Sequence, residues 1–443
     1  MNRLRRLLNT GYVGARVIVE RRIPFWPIER VERLQRRRVR AIVRHAYETV
    51  PFYRDTMKER GLRPEDFESA DDLARLPLLD GVTVRNDPDR FASTRYNDRN
   101  RTIAYTSGST NFVQKKIYWG HDSMLARLAY SERDRVVLNR LLGLDRPQRQ
   151  VYLFPTDSMV PVLRRFWDTA TLSPPRRADR HILSVDLPLE EVVREIDTIK
   201  PDVVFSHGSY ADALFRSLAD RGTAFAAPRV WMYGADMLSA GAREIMEKRY
   251  RCLPWSTYQA GETGRIGFQC EHRRGFHLNL DAVAVRVTDD GGRSLAPGQV
   301  GEVVVSNLDN RAMVLLNYRL GDLGALSHAP CPCGRTLPLL ESLEGRRSEM
   351  VRVAGGREVT SLILDSSFEE ALHDTIQIQM SQAPDGSVGW RLVPCAHVDR
   401  ERMRAFMLER STTVFGPKVQ VSVEFVDHIP GTRAGKFQRV IHE

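Results

Sequence analysis

The alternation of short β-branched runs with helical ones between residues 151 and 236 constrains this chain more than any other feature. VYLFP (151–155), LEEVVREIDTIK (189–200), DVVFSHGS (202–209), ALFRSLADRG (213–222) and RVWMYGAD (229–236) follow one another as strand, helix, strand, helix, strand. Strands joined through a helix run parallel in one sheet, because returning to the same edge needs a crossover of about a dozen residues. This predicts an α/β fold. From Ala282 the pattern changes, and AVAVRVTDD and GEVVVSNL are separated by GG and PG turn signals. That predicts an antiparallel or β-barrel-like subdomain. A third pattern starts near Gly345: a hairpin at MVRVAGGREVT, a helix at SFEEALHD, a strand at GWRLVPCA, a helix at RERMRAFMLERS and a strand at VQVSVEFVD. The expected division is a large α/β N-terminal domain over 1–345 and a small α+β C-terminal domain over 346–443.

At 443 residues the chain is longer than one hydrophobic core usually organises. Its 42% hydrophobic and 28% charged content excludes the disordered, collagenous and coiled-coil classes. No run approaches the roughly 18 apolar residues of a membrane span. The segment MNRLRRLLNTGYVGARVIVERR is too interrupted by arginine for a signal peptide. The chain reads as cytoplasmic, with no membrane role expected. Five cysteines, an odd number in a long chain, speak against a secreted disulfide framework. The net charge of +10 gathers in clusters such as Arg36 to Arg38 with no nucleic-acid-binding motif beside it. It reads as a solvated basic surface that attracts anionic substrates, and no nucleic-acid partner is expected. Val39, Ile42, Val43, Ala46 and Tyr47 form one apolar stripe on a basic helix. Because TVPFYRD turns at Pro51 with no linker, that stripe is expected to pack on the body of the protein.

The chemistry starts at YTSGSTNFVQKK, residues 105–116. Thr106, Ser107, Gly108, Ser109 and Thr110 offer a dense set of N–H and O–H donors, and Gly108 lets the main chain approach an anion closely. Such a loop suits polyphosphate. It lacks the spacing of a P-loop, and no dinucleotide fingerprint follows a strand, so neither of those mechanisms is indicated.

TSGST followed by lysine resembles the phosphate loop of the adenylate-forming superfamily, which includes acyl-CoA synthetases, adenylation domains and luciferase. TVPFYRD (49–55), YGAD (233–236), YQAGE (258–262), NYRLGD (317–322), EGRRSEM (344–350) and TRAGKFQ (432–438) match its other motifs in order. The chain is most similar to the phenylacetate-CoA ligase branch and its CapK-like relatives, over nearly its whole length. The resemblance implies attack of a carboxylate on the α-phosphate of Mg·ATP, release of pyrophosphate, and displacement of AMP from the acyl-adenylate. Thr106 to Thr110 and Lys115 would hold phosphates, and Glu262 would bind Mg²⁺, a hard cation that prefers carboxylate oxygen. Gly234, Ala235 and Asp236 would run along the adenine, and Tyr258 would lie against the adenine or the acyl group. Asp322 would take the ribose hydroxyls, Arg346 the ribose or phosphate, and Lys436 would bridge the carboxylate and the α-phosphate as the catalytic cation. His207, Gly208, Ser209, Met232 and Tyr233 fall near where the family holds its acyl group. The C-terminal domain would rotate between the two half-reactions.

The chain departs from the family at the hinge, where Ser348 stands in place of Asp or Lys, and at Asn111, where glycine is common. The segment VRVAGGREVTSL also differs from the style of the CoA-using members. Coenzyme A is the expected acceptor, with an amine, a carrier-protein thiol or nitrite as alternatives. A catalytically silent zinc-containing binding protein is the reading from another class, against which Glu262, Asp322 and Lys436 together speak. Cys270, His272, Cys331 and Cys333 supply four soft ligands for a closed tetrahedral Zn²⁺ site, with His277 as the alternative fourth. Cys252 and Cys395 read as core thiols.

Overall fold

The computed structural model describes residues 2–106, 115–155, 158–172, 179–431 and 437–443, without the Leu362 side chain. Ser107 to Thr110, Asn111 and Lys436 lie outside the described residues. The chain groups into two compact units. The first comprises 1–148, 156–182 and 256–343, and the second 149–155, 183–255 and 344–443.

In the first unit the helix Ile28–Thr49 buries Val31, Val39, Ile42, Val43 and Ala46 completely, so its apolar stripe packs on the body. Burial of each of the valine and isoleucine side chains contributes about 1.5–3 kcal/mol, and a charge at Val43 would break the seam. The helix stops because Val50 precedes Pro51 and is forced into an extended conformation. Pro51 then opens the helix Pro51–Glu59 at a position where no N–H is needed. Tyr53, in that helix, donates its hydroxyl to the Val314 carbonyl at 3.1 Å and accepts from the Leu316 N–H at 2.9 Å. The TVPFYRD motif therefore clamps the segment leading into NYRLGD.

The strands Arg101–Thr106 and Lys115–Gly120 pair antiparallel, with Thr106 opposite Lys115 as the last pair before the connecting residues 107–114. An antiparallel ladder joins Val283–Thr288 to Gly301–Asn307 and that strand to Tyr318–Ser327. Gly264–Phe268 pairs with Phe276–Leu278 and with Leu253–Ala260. Alternate residues Val283, Val287, Val303, Val305, Ile266 and Leu340 fill its core, as the strand period of two requires.

The second unit holds the parallel strands Arg149–Leu153, Val203–His207 and Val230–Gly234, with the helices Leu189–Ile199 and Gly208–Asp220 as crossovers. The expected alternation is present element by element. Towards the C-terminus, strands Val421–Phe425, Val388–Pro394, Thr375–Gln382 and Val440–His442 form a four-stranded sheet in that order. The helix Arg400–Phe415 packs on it around Phe368, Met380, Trp390, Leu392 and Met407. Among the described residues no helix is long and apolar enough to cross a membrane.

Candidate active site and metal cluster

Thr106 ends its strand against the turn that carries Glu262. A side chain at Gly261 would overlap the Thr106 methyl, so only glycine allows this approach. The Thr106 hydroxyl is buried with no hydrogen-bond partner among the described residues, as expected of a donor awaiting a ligand. The Trp119 indole donates to the Gly261 carbonyl at 3.1 Å, and the Asn307 amide donates to the Thr263 carbonyl at 2.8 Å. The turn is thus held on both sides of Glu262. The buried Glu262 carboxylate is ion-paired with Lys115, whose ammonium also donates to the Tyr318 hydroxyl at 3.0 Å. The Tyr318 hydroxyl in turn donates to Glu262 at 3.3 Å. Burial, then the neighbouring Glu262 charge, pushes the Tyr318 phenol well above its ordinary range, so it stays a donor. Tyr318 is the residue that sequence reasoning missed, although it stands second in NYRLGD.

A carboxylate and a free hydroxyl fit Mg²⁺, which takes one or two protein oxygens and completes its shell with phosphate and water. Further along the Tyr318–Ser327 strand, Gly321 takes a positive φ of 80° and Asp322 follows. The Tyr258 hydroxyl donates to Asp322 Oδ2 at 2.9 Å, and the Tyr258 ring packs on Phe276 with centroids 5.6 Å apart.

In the second unit Asp236 caps the helix Gly208–Asp220. Its carboxylate accepts from the Gly208 N–H at 2.5 Å, from the Ser209 N–H at 3.3 Å and from the Ser209 hydroxyl. Gly208 has no room for a side chain beside the Met237 carbonyl. The Ser209 oxygen also accepts from the Phe437 N–H at 3.2 Å. Ala235 sits at φ 73°, a strained conformation for a non-glycine residue, and its carbonyl accepts from Arg346 at 3.2 Å. The Tyr233 ring belongs to the core of this unit, and its hydroxyl accepts from Arg243 at 2.7 Å. The His207 ring meets the Phe154 edge with centroids 5.1 Å apart.

The cysteine cluster requires a correction. Cys270, Cys331, Cys333 and His277 bring one donor atom each within 4.8 Å of one another, and His272 is not among them. His272 sits on the exposed turn after Cys270, whereas strand pairing places His277 opposite Phe268 and inward. The sulfurs of Cys270 and Cys331 are 3.6 Å apart, and Cys333 Sγ lies 3.3 Å from His277 Nε2. His277 Nδ1 is 3.1 Å from the Leu337 carbonyl, so it carries the proton and leaves the Nε2 lone pair facing the sulfurs. Burial pushes the ring down to about 4. All five cysteines are free thiols.

Residues 352–443 match the CapK C-terminal domain. A phenylacetate-coenzyme A ligase of Thermus thermophilus is 26% identical over 350 residues, covering 74% of this chain and 73% of its own. One from Aromatoleum evansii is 23% identical over 94% of this chain and 96% of its own. Among solved structures, 2-hydroxyisobutyryl-CoA ligase in the postadenylation state with R3-HIB-AMP superposes with a TM-score of 0.77. It is 19% identical, covering 95% of this chain and 91% of that one, and so speaks for the fold. The chain thus ends in a stretch that matches the CapK C-terminal domain, is similar in sequence to phenylacetate-coenzyme A ligases, and shares the fold of an acyl-CoA ligase.

Proposed function

We propose that this chain uses ATP to activate a carboxylic acid, aryl or acyl, as its adenylate and then transfers the acyl group to coenzyme A. The observation that carries the reading is the grouping of Thr106, Lys115, Tyr318 and Glu262 where the TSGST and YQAGE motifs meet. In the first half-reaction a substrate carboxylate oxygen forms a bond to the α-phosphorus while the bond to pyrophosphate breaks. Mg²⁺ bound at Glu262 would neutralise phosphate charge. Lys115, which pairs with Glu262 in this structure, would supply its ammonium to the phosphates. Asp322, oriented by Tyr258, accepts from the ribose hydroxyls, and Arg346 donates to the ribose or the phosphate. Lys436 supplies the cation at the α-phosphate, and residues 346–443 form the moving domain. In the second half-reaction the CoA sulfur attacks the acyl carbon and AMP leaves. Cys270, His277, Cys331 and Cys333 would hold a structural Zn²⁺, a use for which three thiolates and an oriented imidazole are the right donor set.

Exchange of labelled pyrophosphate into ATP, run over a panel of aryl, fatty and amino acids, tests the first half-reaction without knowledge of the acceptor. Acid-dependent exchange is expected, and folded protein that exchanges with none of the acids would overturn the reading. Adding CoA should then release AMP and form a thioester. AMP release only with an amine, a carrier-protein thiol or nitrite would reassign the acceptor, the outcome towards which Ser348 points.

A further inference from the structure

The helix Arg3–Glu20 packs through a largely polar side and leaves most of its large apolar side chains exposed. On a wheel of about 100° per residue, Arg6, Asn9, Thr10, Val13, Arg16, Val17 and Glu20 share the inward side. The Arg6 guanidinium donates to the Thr171 carbonyl at 2.7 Å and the Asn9 amide to the Ala170 carbonyl at 2.8 Å. Glu20 is fully buried and paired with Arg16 and Arg133, and Arg133 also reaches Asp281 at 2.9 Å. These bonds fix which side of the helix faces the protein. The outward side carries Leu4, Leu7, Leu8, Tyr12, Ile18 and Val19, with Leu4 and Leu8 each 65% exposed and Ile18 58%. Gly11, Gly14 and Ala15 fill the gaps between them. A folded surface does not present such a row without a use for it.

The charges around the row say what covers it. No Asp or Glu occurs before Glu20, and Glu20 is turned inward. Arg3 and Arg5 border the two edges of the row at its start, and Arg22 closes its end, all three exposed. A second copy laid along the row in either direction would set arginine against arginine, since both ends are basic. An anionic, laterally extended, apolar-cored surface satisfies both features at once.

We propose that the helix Arg3–Glu20 is a membrane-surface anchor that lays its outward apolar row into an anionic lipid headgroup layer. It lies on the bilayer and does not span it. Arg3, Arg5 and Arg22 are the residues that draw it to such a surface. Insertion of the leucine row adds the apolar burial that charge alone does not provide.

The test is flotation of the full chain with vesicles of phosphatidylcholine alone or with about 30% phosphatidylserine. Wild type should float with the anionic vesicles only. The variant Leu4→Gln, Leu8→Gln, Ile18→Gln, which keeps every charge, should bind them about tenfold more weakly or less while its thermal unfolding stays unchanged. No flotation of wild type would overturn the proposal. Equal binding by the triple variant would also overturn it, by assigning binding to the general basic surface. So would a wild-type dimer that the variant splits in light scattering without any vesicle binding, which makes a second copy the occupant.

Discussion

The Tyr258 hydroxyl donates to Asp322 Oδ2 at 2.9 Å, joining the first residue of YQAGE to the last of NYRLGD. A carboxylate has about four lone-pair sites, so a hydrogen bond at one oxygen orients the group and leaves acceptor capacity for a diol. Tyr258→Phe removes that orientation and keeps the ring against Phe276. The KM for ATP in pyrophosphate exchange should rise about three- to tenfold, the equivalent of one hydrogen bond of about 1 kcal/mol. Asp322→Asn should raise it further, because it removes the charge-assisted acceptor itself. Unchanged KM in both variants would remove Asp322 from the ribose.

Glu262 and Lys115 make a second, separable prediction. Their ion pair is largely buried, so Lys115→Met takes the cation from a buried carboxylate that Tyr318 still reaches, and a loss of about 3 kcal/mol in unfolding free energy is expected. Glu262→Gln removes the proposed Mg²⁺ ligand and keeps the shape. The Mg²⁺ concentration for half-maximal exchange should rise by about tenfold or more, with a smaller change in stability. A magnesium titration with the same midpoint in wild type and Glu262→Gln would place the metal elsewhere.

The fold was legible where periodicity decides it. The strand and helix alternation from 151 to 236 and the C-terminal α+β pattern became the elements predicted, because a parallel sheet leaves long apolar runs and short turns in the sequence. The site was legible as motifs and less so as contacts. Asp236 was expected to pass its backbone along the adenine, and the sequence carried no sign that its carboxylate also caps the helix beginning at Gly208. Tyr318 was quoted in a motif but acquired a role only once the clamp from Tyr53 and the strand register set it beside Glu262. His272 is the nearer candidate along the sequence, and His277 is the one that meets the sulfurs in space. Distance along a chain says nothing about which side of a turn a ring faces. The helix Arg3–Glu20 carries the same lesson, since amphipathic spacing shows that two faces exist and not which of them is inward.

The cluster predicts a specific pattern of metal loss. Protein purified without chelator should contain about one equivalent of zinc. Cys331→Ser and His277→Ala should lower the content below about half an equivalent and reduce the melting temperature by several degrees. His272→Ala should change neither, because His272 is exposed and outside the donor set. Loss of metal in His272→Ala with retention in His277→Ala would reverse the ligand assignment. Wild type that carries no metal and melts unchanged in chelator would leave the cluster as a set of buried thiols.

The last prediction concerns pH and holds without metal. His277 is fully buried and its Nδ1–H is spent on the Leu337 carbonyl, so a second proton would place an unsolvated charge among the cysteines. Burial therefore holds its pKa at about 4 against an ordinary 6.5. Between those values the unfolded chain takes up a proton that the folded chain refuses, so acid favours unfolding. The contribution is fully present above about pH 6.5, is lost progressively as pH falls, and levels off below about 4. In the presence of chelator, the unfolding free energy should fall by about 1–3 kcal/mol across that window on account of this ring. His277→Gln keeps a polar group near the Leu337 carbonyl and has no titration of its own. It should be less stable than wild type at pH 7 and should approach it towards pH 4. Parallel stability curves for the two proteins from pH 4 to 7, measured by chemical denaturation, would show that His277 titrates normally in the folded state.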